Sequence, residues 1–354
     1  MRIFFILLLS CLILNVHAQS TFVPPEKYVC FYTNEPINID GQGNDIVWES
    51  TKWSSTFVNI NDIGIEPNLD TKFKMLWDST YLYFYVEMEE PHIWANLKQR
   101  DTIIFWDNDI ELFLDPIGDT HNYYEIEVNA NNTVWDLLLT RAYRDGGRAI
   151  NNWDLNGSKF AVHIQGTLND PTYIDDYWSV EAALPWSVLK ELNDTGRMPK
   201  PGDTWRMNYS RVQWDTEVVN GKYIKLKDDK TGKLKREHNW SWSRQRVINM
   251  HEPELWGQIL FTNEKPDLKS FASVQEEEAR QLLYTIHRNQ LLYRKNHKRF
   301  TDEKAHLLKQ QTWADGTPID WSIELSDKRY VISVKIPGQE GQLYVDDTGR
   351  NWKD

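Results

Sequence analysis

The sequence predicts a mainly β protein: a two-sheet antiparallel β-sandwich followed by a small α+β module of one long helix plus a three-stranded meander. Three observations predict it. Nine short runs between residues 24 and 262 alternate apolar and polar side chains and are punctuated by Gly, Pro, Asn and Asp. No helical pattern is interleaved with them, which argues against a parallel sheet with crossover helices. Beyond residue 262 the apolar period lengthens to that of a helix and then returns to alternation.

The elements follow in chain order. Arg2, an apolar run over 3–9 and Val16-His17-Ala18 before Gln19 form the charge, apolar core and small-residue pattern of a secretory signal at 1–18. A competing reading takes Leu8-Leu9-Ser10-Cys11 as a lipoprotein cleavage site, but the apolar residues continue past Cys11. A secreted or periplasmic protein is expected, and no later run of about 18 apolar residues suggests a membrane span. Cleavage leaves Cys30 as the remaining cysteine, which excludes an intrachain disulfide or a cysteine metal cluster. Within a sandwich at 24–262, strands are expected at 72–77, 81–87, 109–114, 123–129, 133–140, 160–166, 177–184, 204–214 and 258–261. Asp78-Ser79-Thr80 reads as a tight turn, and 185–192 as no more than a short helical turn. A polar linker at 263–272 precedes Ser273-Val274-Gln275-Glu276, a capping box that opens a helix running to about His297. Ala279, Leu282, Ile286, Gln290 and Tyr293 recur along it, with acids at its start and bases at its end. Alternation over 321–325 and 330–336, then 343–345, completes a module at 273–354.

Charge narrows the partners. With 52 acidic and 40 basic side chains the net charge is -12, and the absence of a basic stripe argues against nucleic acid. The 17 Trp outnumber the 13 Phe, and Trp offers a rigid apolar face with a polar edge.

Six blocks carry a resemblance: INIDG at 37–41 with Trp48 after it, LWDSTYLY at 76–83, DIELFLDP at 109–116, YYEIEVN at 123–129, WSVEAALPW at 178–186 and HEPELWG at 251–257. In this order over about 36–262 they resemble carbohydrate-binding module family 9. The resemblance implies a sandwich that binds an oligo- or polysaccharide, supports carbohydrate breakdown by other enzymes and has no catalytic activity of its own. In that family two Trp faces sandwich the sugar ring and polar side chains on the sheet bond its hydroxyls. Trp106 lies about where the first Trp is expected, although its spacing to Glu111 is one residue shorter than the family's. Glu111 matches the sugar-contacting Glu. The second Trp position holds Met250, the position of the family's Arg holds Glu127, and Trp240 and Trp242 are the candidates for the missing face. The resemblance requires no cofactor but admits calcium, for which Asp107 and Asp109 are the candidate ligands, without the full spacing of a calcium loop. The end of the chain, with QLLY at 290–293 and VDDTGRNW at 345–352, resembles the soluble part of a pilin-like module and could dock a protein partner.

A sugar site needs a flat aromatic surface and a few polar groups at fixed positions. Alternation puts Ile110, Leu112 and Leu114 on one face and Glu111 on the other; Tyr124, Ile126 and Val128 face the core and leave Glu125, Glu127 and Asn129 in a row. If these strands pair, Glu111 and Glu127 share a polar face suited to hydroxyls or a cation. The row is otherwise the solvated face of an edge sheet. Trp77, Trp178, Trp205 and Trp256 read as core, whereas Trp106, Trp240 and Trp242 sit beside loops, where either a core or an exposed role fits. Arg211 either orients a ligand or pairs with Glu127. His251 reads as a loop anchor. Two other classes remain: a glycoside hydrolase using Glu111 and Glu127, and a haem-binding electron-transfer module with Met250 or His251 as axial ligand, which lacks a Cys-x-x-Cys-His site.

Overall fold

The computed structural model describes residues 22–61 and 63–354, so the expected export signal and Cys11 lie outside the described residues. The larger part is built on β1 Lys27–Tyr32, β2 Thr71–Trp77, β3 Tyr81–Glu89, β4 Asp109–Asp115, β5 His121–Asn129, β6 Val134–Arg141, β7 Lys159–Gln165, β8 Tyr177–Pro185, β9 Thr204–Gln213, β10 His238–Ser241 and β11 Gly257–Thr262. All nine strands expected from alternation are present. Their order is β6-β5-β4-β9-β11-β1-β2-β3-β8-β7, with β10 beside the far half of β9.

The sandwich is therefore one sheet curled over on itself, and β1 makes the join. It runs parallel to β11 over residues 27–31, then pairs Phe31 and Tyr32 in parallel with Leu76 and Trp77. The expected all-antiparallel pairing fails at this strand. Its sequence is apolar on both parities, which hides the alternation that the burial of Tyr28 and Cys30 reveals. The two halves interdigitate: the Phe73 ring lies 4.4 Å from Tyr209, and Phe84 lies 5.9 Å from it. Ile110, Leu112, Leu114, Tyr124, Ile126 and Val128 fill this core with Trp77, Trp178 and Trp205, as alternation predicts. Trp256 is also buried, but against Phe113 and Tyr123 on the other side of the sheet.

Two of the sequence blocks prove to be one structural device. Gly41 has φ +87°, and a Cβ there would stand 2.6 Å from the backbone N of His163, so a larger residue is excluded. The Glu181 carboxylate accepts from the N–H groups of Asp40 at 3.1 Å and Gly41 at 2.9 Å and from the Trp48 indole at 2.8 Å. A Glu181→Ala substitution leaves these donors unpartnered and should lower unfolding free energy by about 2–4 kcal/mol. Glu181→Gln keeps an acceptor and should recover most of that loss in a urea titration.

The C-terminal helix, α1 Val274–His297, begins where its capping box predicts: the Ser273 hydroxyl oxygen accepts from the Glu276 N–H at 3.1 Å. Its sheet has four strands, β12 Trp321–Leu325, β13 Tyr330–Lys335, β14 Gln342–Asp346 and β15 Asn351–Lys353, rather than the three expected. The fourth spans three residues, too few for alternation to show. Polar contacts bind this module to the curled sheet. Arg206 of β9 pairs with Glu277 of α1, both buried. The Tyr284 hydroxyl donates to the Gly349 carbonyl at 2.7 Å and contacts the Thr120 hydroxyl at 3.2 Å. His287 bridges Asp145 and the Tyr330 hydroxyl, each at 2.8 Å. No described helix is long and apolar enough to cross a membrane.

Candidate functional site

Strand register assembles the site. In the β4–β5 pair Glu111 stands opposite Glu127, Asp109 opposite Asn129 and Phe113 opposite Glu125. Trp135 of β6 lies opposite Glu127, and Ser210 of β9 lies opposite Glu111. Opposed residues share a face, so Trp135, Glu127, Glu111 and Ser210 form a row on the side of the sheet away from the core. The row is not solvated. Phe105, Tyr143, Asn239 and the segment from Ile248 to His251 close around it and leave a cavity of about 350 Å³. Its floor is acidic (Glu111, Glu125 and Glu127), and its walls combine apolar and aromatic side chains (Phe105, Trp135, Tyr143 and Met250) with polar ones, among them Arg236, Glu237 and Asn249. Tyr143, 49% exposed, presents its ring at the rim.

The floor holds its charge poorly. Burial, then the negative charge of Glu111, pushes the carboxyls of Asp109, Glu125 and Glu127 well above their usual range. Burial lifts Glu111 itself to about 7. His251 does not neutralise them, although its Nε2 is 4.0 Å from Glu125 Oε1. Burial and the Arg144 charge hold its pKa down at about 4, so it is neutral near pH 7. The Tyr123 hydroxyl meets His251 Nδ1 at 2.9 Å, and the Tyr143 ring stands edge-to-face to the imidazole at 4.5 Å. His251 thus anchors the loop, as its sequence context suggests.

The sequence-predicted residues divide. Glu111 and Glu127 come together on the pocket floor, with Asp109 beside them. Asn129 is adjacent but spent: its amide donates to the Leu97 carbonyl and to Asp107, and its oxygen accepts from the N–H groups of Asn131 and Thr133. Asp107 Oδ2 accepts from the N–H groups of Asn96 and Leu97 as well as from the Asn129 amide. Arg211 falls on the opposite face, because it opposes Ile110 across the β4–β9 pair. It does not meet Glu127; its guanidinium bonds Gln213, Thr71, the Glu89 carbonyl and Glu90. Trp240 and Trp242 offer no exposed face. Both are buried in the core, Trp242 edge-on to Phe73 and Trp240 beside the Arg211 guanidinium. Trp106 is 45% exposed, stacked on Trp214 at 5.7 Å with the Lys225 ammonium 4.9 Å from its ring, and does not line the cavity. Phe105, one residue upstream, does. The shortened spacing between Trp106 and Glu111 already signalled that shift. Trp135 and Tyr143 carried no sequence signal, since their place depends on long-range register and on a loop.

The family described as carbohydrate family 9 binding domain-like matches residues 39–264. No curated protein matches. Solved structures that match include a carbohydrate binding module family 9 from Caldicellulosiruptor kristjanssonii in complex with glucose, at 16% identity and TM-score 0.42 over 69% of this chain and 100% of that one. The same module in complex with cellotriose matches at 16% identity and TM-score 0.42, over 70% and 99%. A Bacteroides uniformis protein described as carbohydrate-binding matches at 14% identity and TM-score 0.48, over 67% and 100%. The family match spans more than half of the residues, and the chain belongs to the carbohydrate family 9 binding domain-like family.

Proposed function

We propose that the pocket over β4 and β5 binds a carbohydrate and that the protein acts as a non-catalytic, exported glycan-binding module in polysaccharide breakdown. The observation that carries this reading is the pairing of an acidic floor with aromatic walls. Carboxylates accept from sugar hydroxyls, and Tyr143, Trp135 and Phe105 offer apolar surface to the C–H faces of a ring. Family membership supports the same class of ligand. The export pattern at 1–18 supports a secreted or periplasmic setting.

A hydrolytic role fits the geometry less well. Glu111 and Glu127 are direct cross-strand neighbours with carboxylate oxygens within 4.8 Å, so both meet a ligand from the same side. A glycosidase needs its two carboxyls flanking the scissile bond.

Glucose and cellotriose are the first probes. Calorimetric titration of the full chain at pH 8, above the raised Glu111 pKa of about 7, should show Glu111→Gln weakening affinity about tenfold or more, since a hydrogen bond to a charged group contributes roughly 1.5–3 kcal/mol. Tyr143→Ala should weaken it by about as much through lost stacking and burial. Trp106→Ala should leave it within about threefold, because that ring lies outside the cavity. Equal loss at Trp106 and none at Glu111 would move the site to the Trp106–Trp214 stack.

A further inference from the structure

We propose that the C-terminal module is part of the binding apparatus: His287 and Gly349 are positioning residues that clasp Asp145 and so hold the Tyr143 ring in place for the ligand. The effect on affinity rests on the sugar-binding reading; the clasp does not.

Tyr143 opens a single 3₁₀ turn, Tyr143–Asp145, which Gly146 closes in the left-handed region at φ +79°. A turn this short makes few bonds of its own, so its place depends on what its side chains grip. The half-exposed Tyr143 is a poor anchor, whereas the Asp145 side chain, two residues on, is only 2% exposed. A ring already in place when the ligand arrives spares the cost of ordering it on binding.

Both layers of the module converge on Asp145. From α1, the fully buried His287 donates from Nε2 to Asp145 Oδ1 at 2.8 Å. Its Nδ1 meets the Tyr330 hydroxyl of β13, also at 2.8 Å, so the imidazole is fixed at both nitrogens. From the turn between β14 and β15, Gly349 approaches at φ +83°, and a Cβ on it would stand 2.4 Å from Asp145 Oδ2. That turn is itself pinned, because the Gly349 carbonyl accepts from the hydroxyls of Thr120 and Tyr284, each at 2.7 Å. Tyr284, one helical turn before His287, also sets its ring 5.5 Å from the Arg144 guanidinium. These contacts point outward from the module's own apolar core, which runs through Leu283, Ile286, Ile332 and Leu343.

The test uses the full chain with cellotriose as probe. His287→Ala should weaken binding about three- to tenfold. His287→Gln keeps an N–H for Asp145 and should recover most of that loss. Gly349→Ala presses a Cβ on Asp145 and should weaken binding by about as much as His287→Ala. In a Tyr143→Ala background His287→Ala should change affinity less than about twofold, because the ring through which it acts is gone. Leu343→Ala opens a cavity in the module core, at the end of β14 away from Gly349, and should leave affinity within about twofold. Amide exchange over 142–147 needs no ligand: His287→Ala should speed it about tenfold, and Leu343→Ala should not. Should His287→Ala fail to fold, Gly349→Ala takes its place in each comparison. An undiminished loss without Tyr143, an equal loss in Leu343→Ala, or wild-type exchange over 142–147 in His287→Ala overturns the proposal. Faster local exchange in a chain whose wild type binds neither glucose nor cellotriose supports the clasp and counts against the sugar reading instead.

Discussion

Arg144→Ala should lower the unfolding free energy by about 3–5 kcal/mol, the cost of stranding buried carboxylates whose partner is removed. Arg144 pairs with Glu252, with Glu254 at 2.9 Å and with Asp145 at 3.2 Å. Burial alone would raise the Glu254 carboxyl, but Arg144 and Arg288 hold it down at about 2. A depressed carboxyl contributes stability above its unfolded pKa, near 4.5, and the contribution fades as pH falls towards 2. The gap between wild type and Arg144→Ala should therefore narrow on acidification from pH 5 to pH 3, in urea titrations at each pH. Arg288→Ala should cost only about 1 kcal/mol, because Arg288 is partly exposed and leaves Arg144 in place. Function is tied to the same contacts. Arg144 follows Tyr143 and Glu252 follows His251, so the helix that supplies Arg288 braces the two segments forming the pocket rim.

Glu111→Gln should stabilise the protein at pH 8 while weakening ligand binding. Its folded pKa of about 7, raised by burial, lies above the unfolded value near 4.5. For a raised carboxyl the contribution is fully present below the unfolded pKa and is lost as pH climbs through the folded one. That loss is roughly 3 kcal/mol between pH 4.5 and 8. Asp115, lifted to about 7 by burial and by Asp119, adds to the slope on another part of the sheet. Wild type should lose stability over this window, and Glu111→Gln should lose distinctly less. A site that gains stability when its chief carboxylate is neutralised is one maintained for binding.

The strands could be read from the sequence because one buried face enforces alternation, and the same parity placed Glu111 and Glu127 away from the core. Parity could not say which face of a two-sided sheet is closed over. Trp240 and Trp242 share a parity and sit among polar residues, yet they face inward because β10 pairs with β9 in a register that sets Trp240 opposite Arg211. Arg211 looked like a ligand-binding cation, but Glu90, brought from the end of β3, supplies its counter-charge inside the fold. The row Glu125, Glu127, Asn129 reads as solvated until the 248–251 segment, more than a hundred residues away, covers it. Loop contributions such as Tyr143 leave no periodic trace in the sequence.

The most direct measurement is a crystal structure of the full chain with a bound glycan chosen by array screening. The account predicts the sugar ring against Tyr143, with a hydroxyl within about 3.2 Å of a Glu111 oxygen. Sugar lodged on the Trp106–Trp214 stack, with the acidic cavity unoccupied, would contradict it.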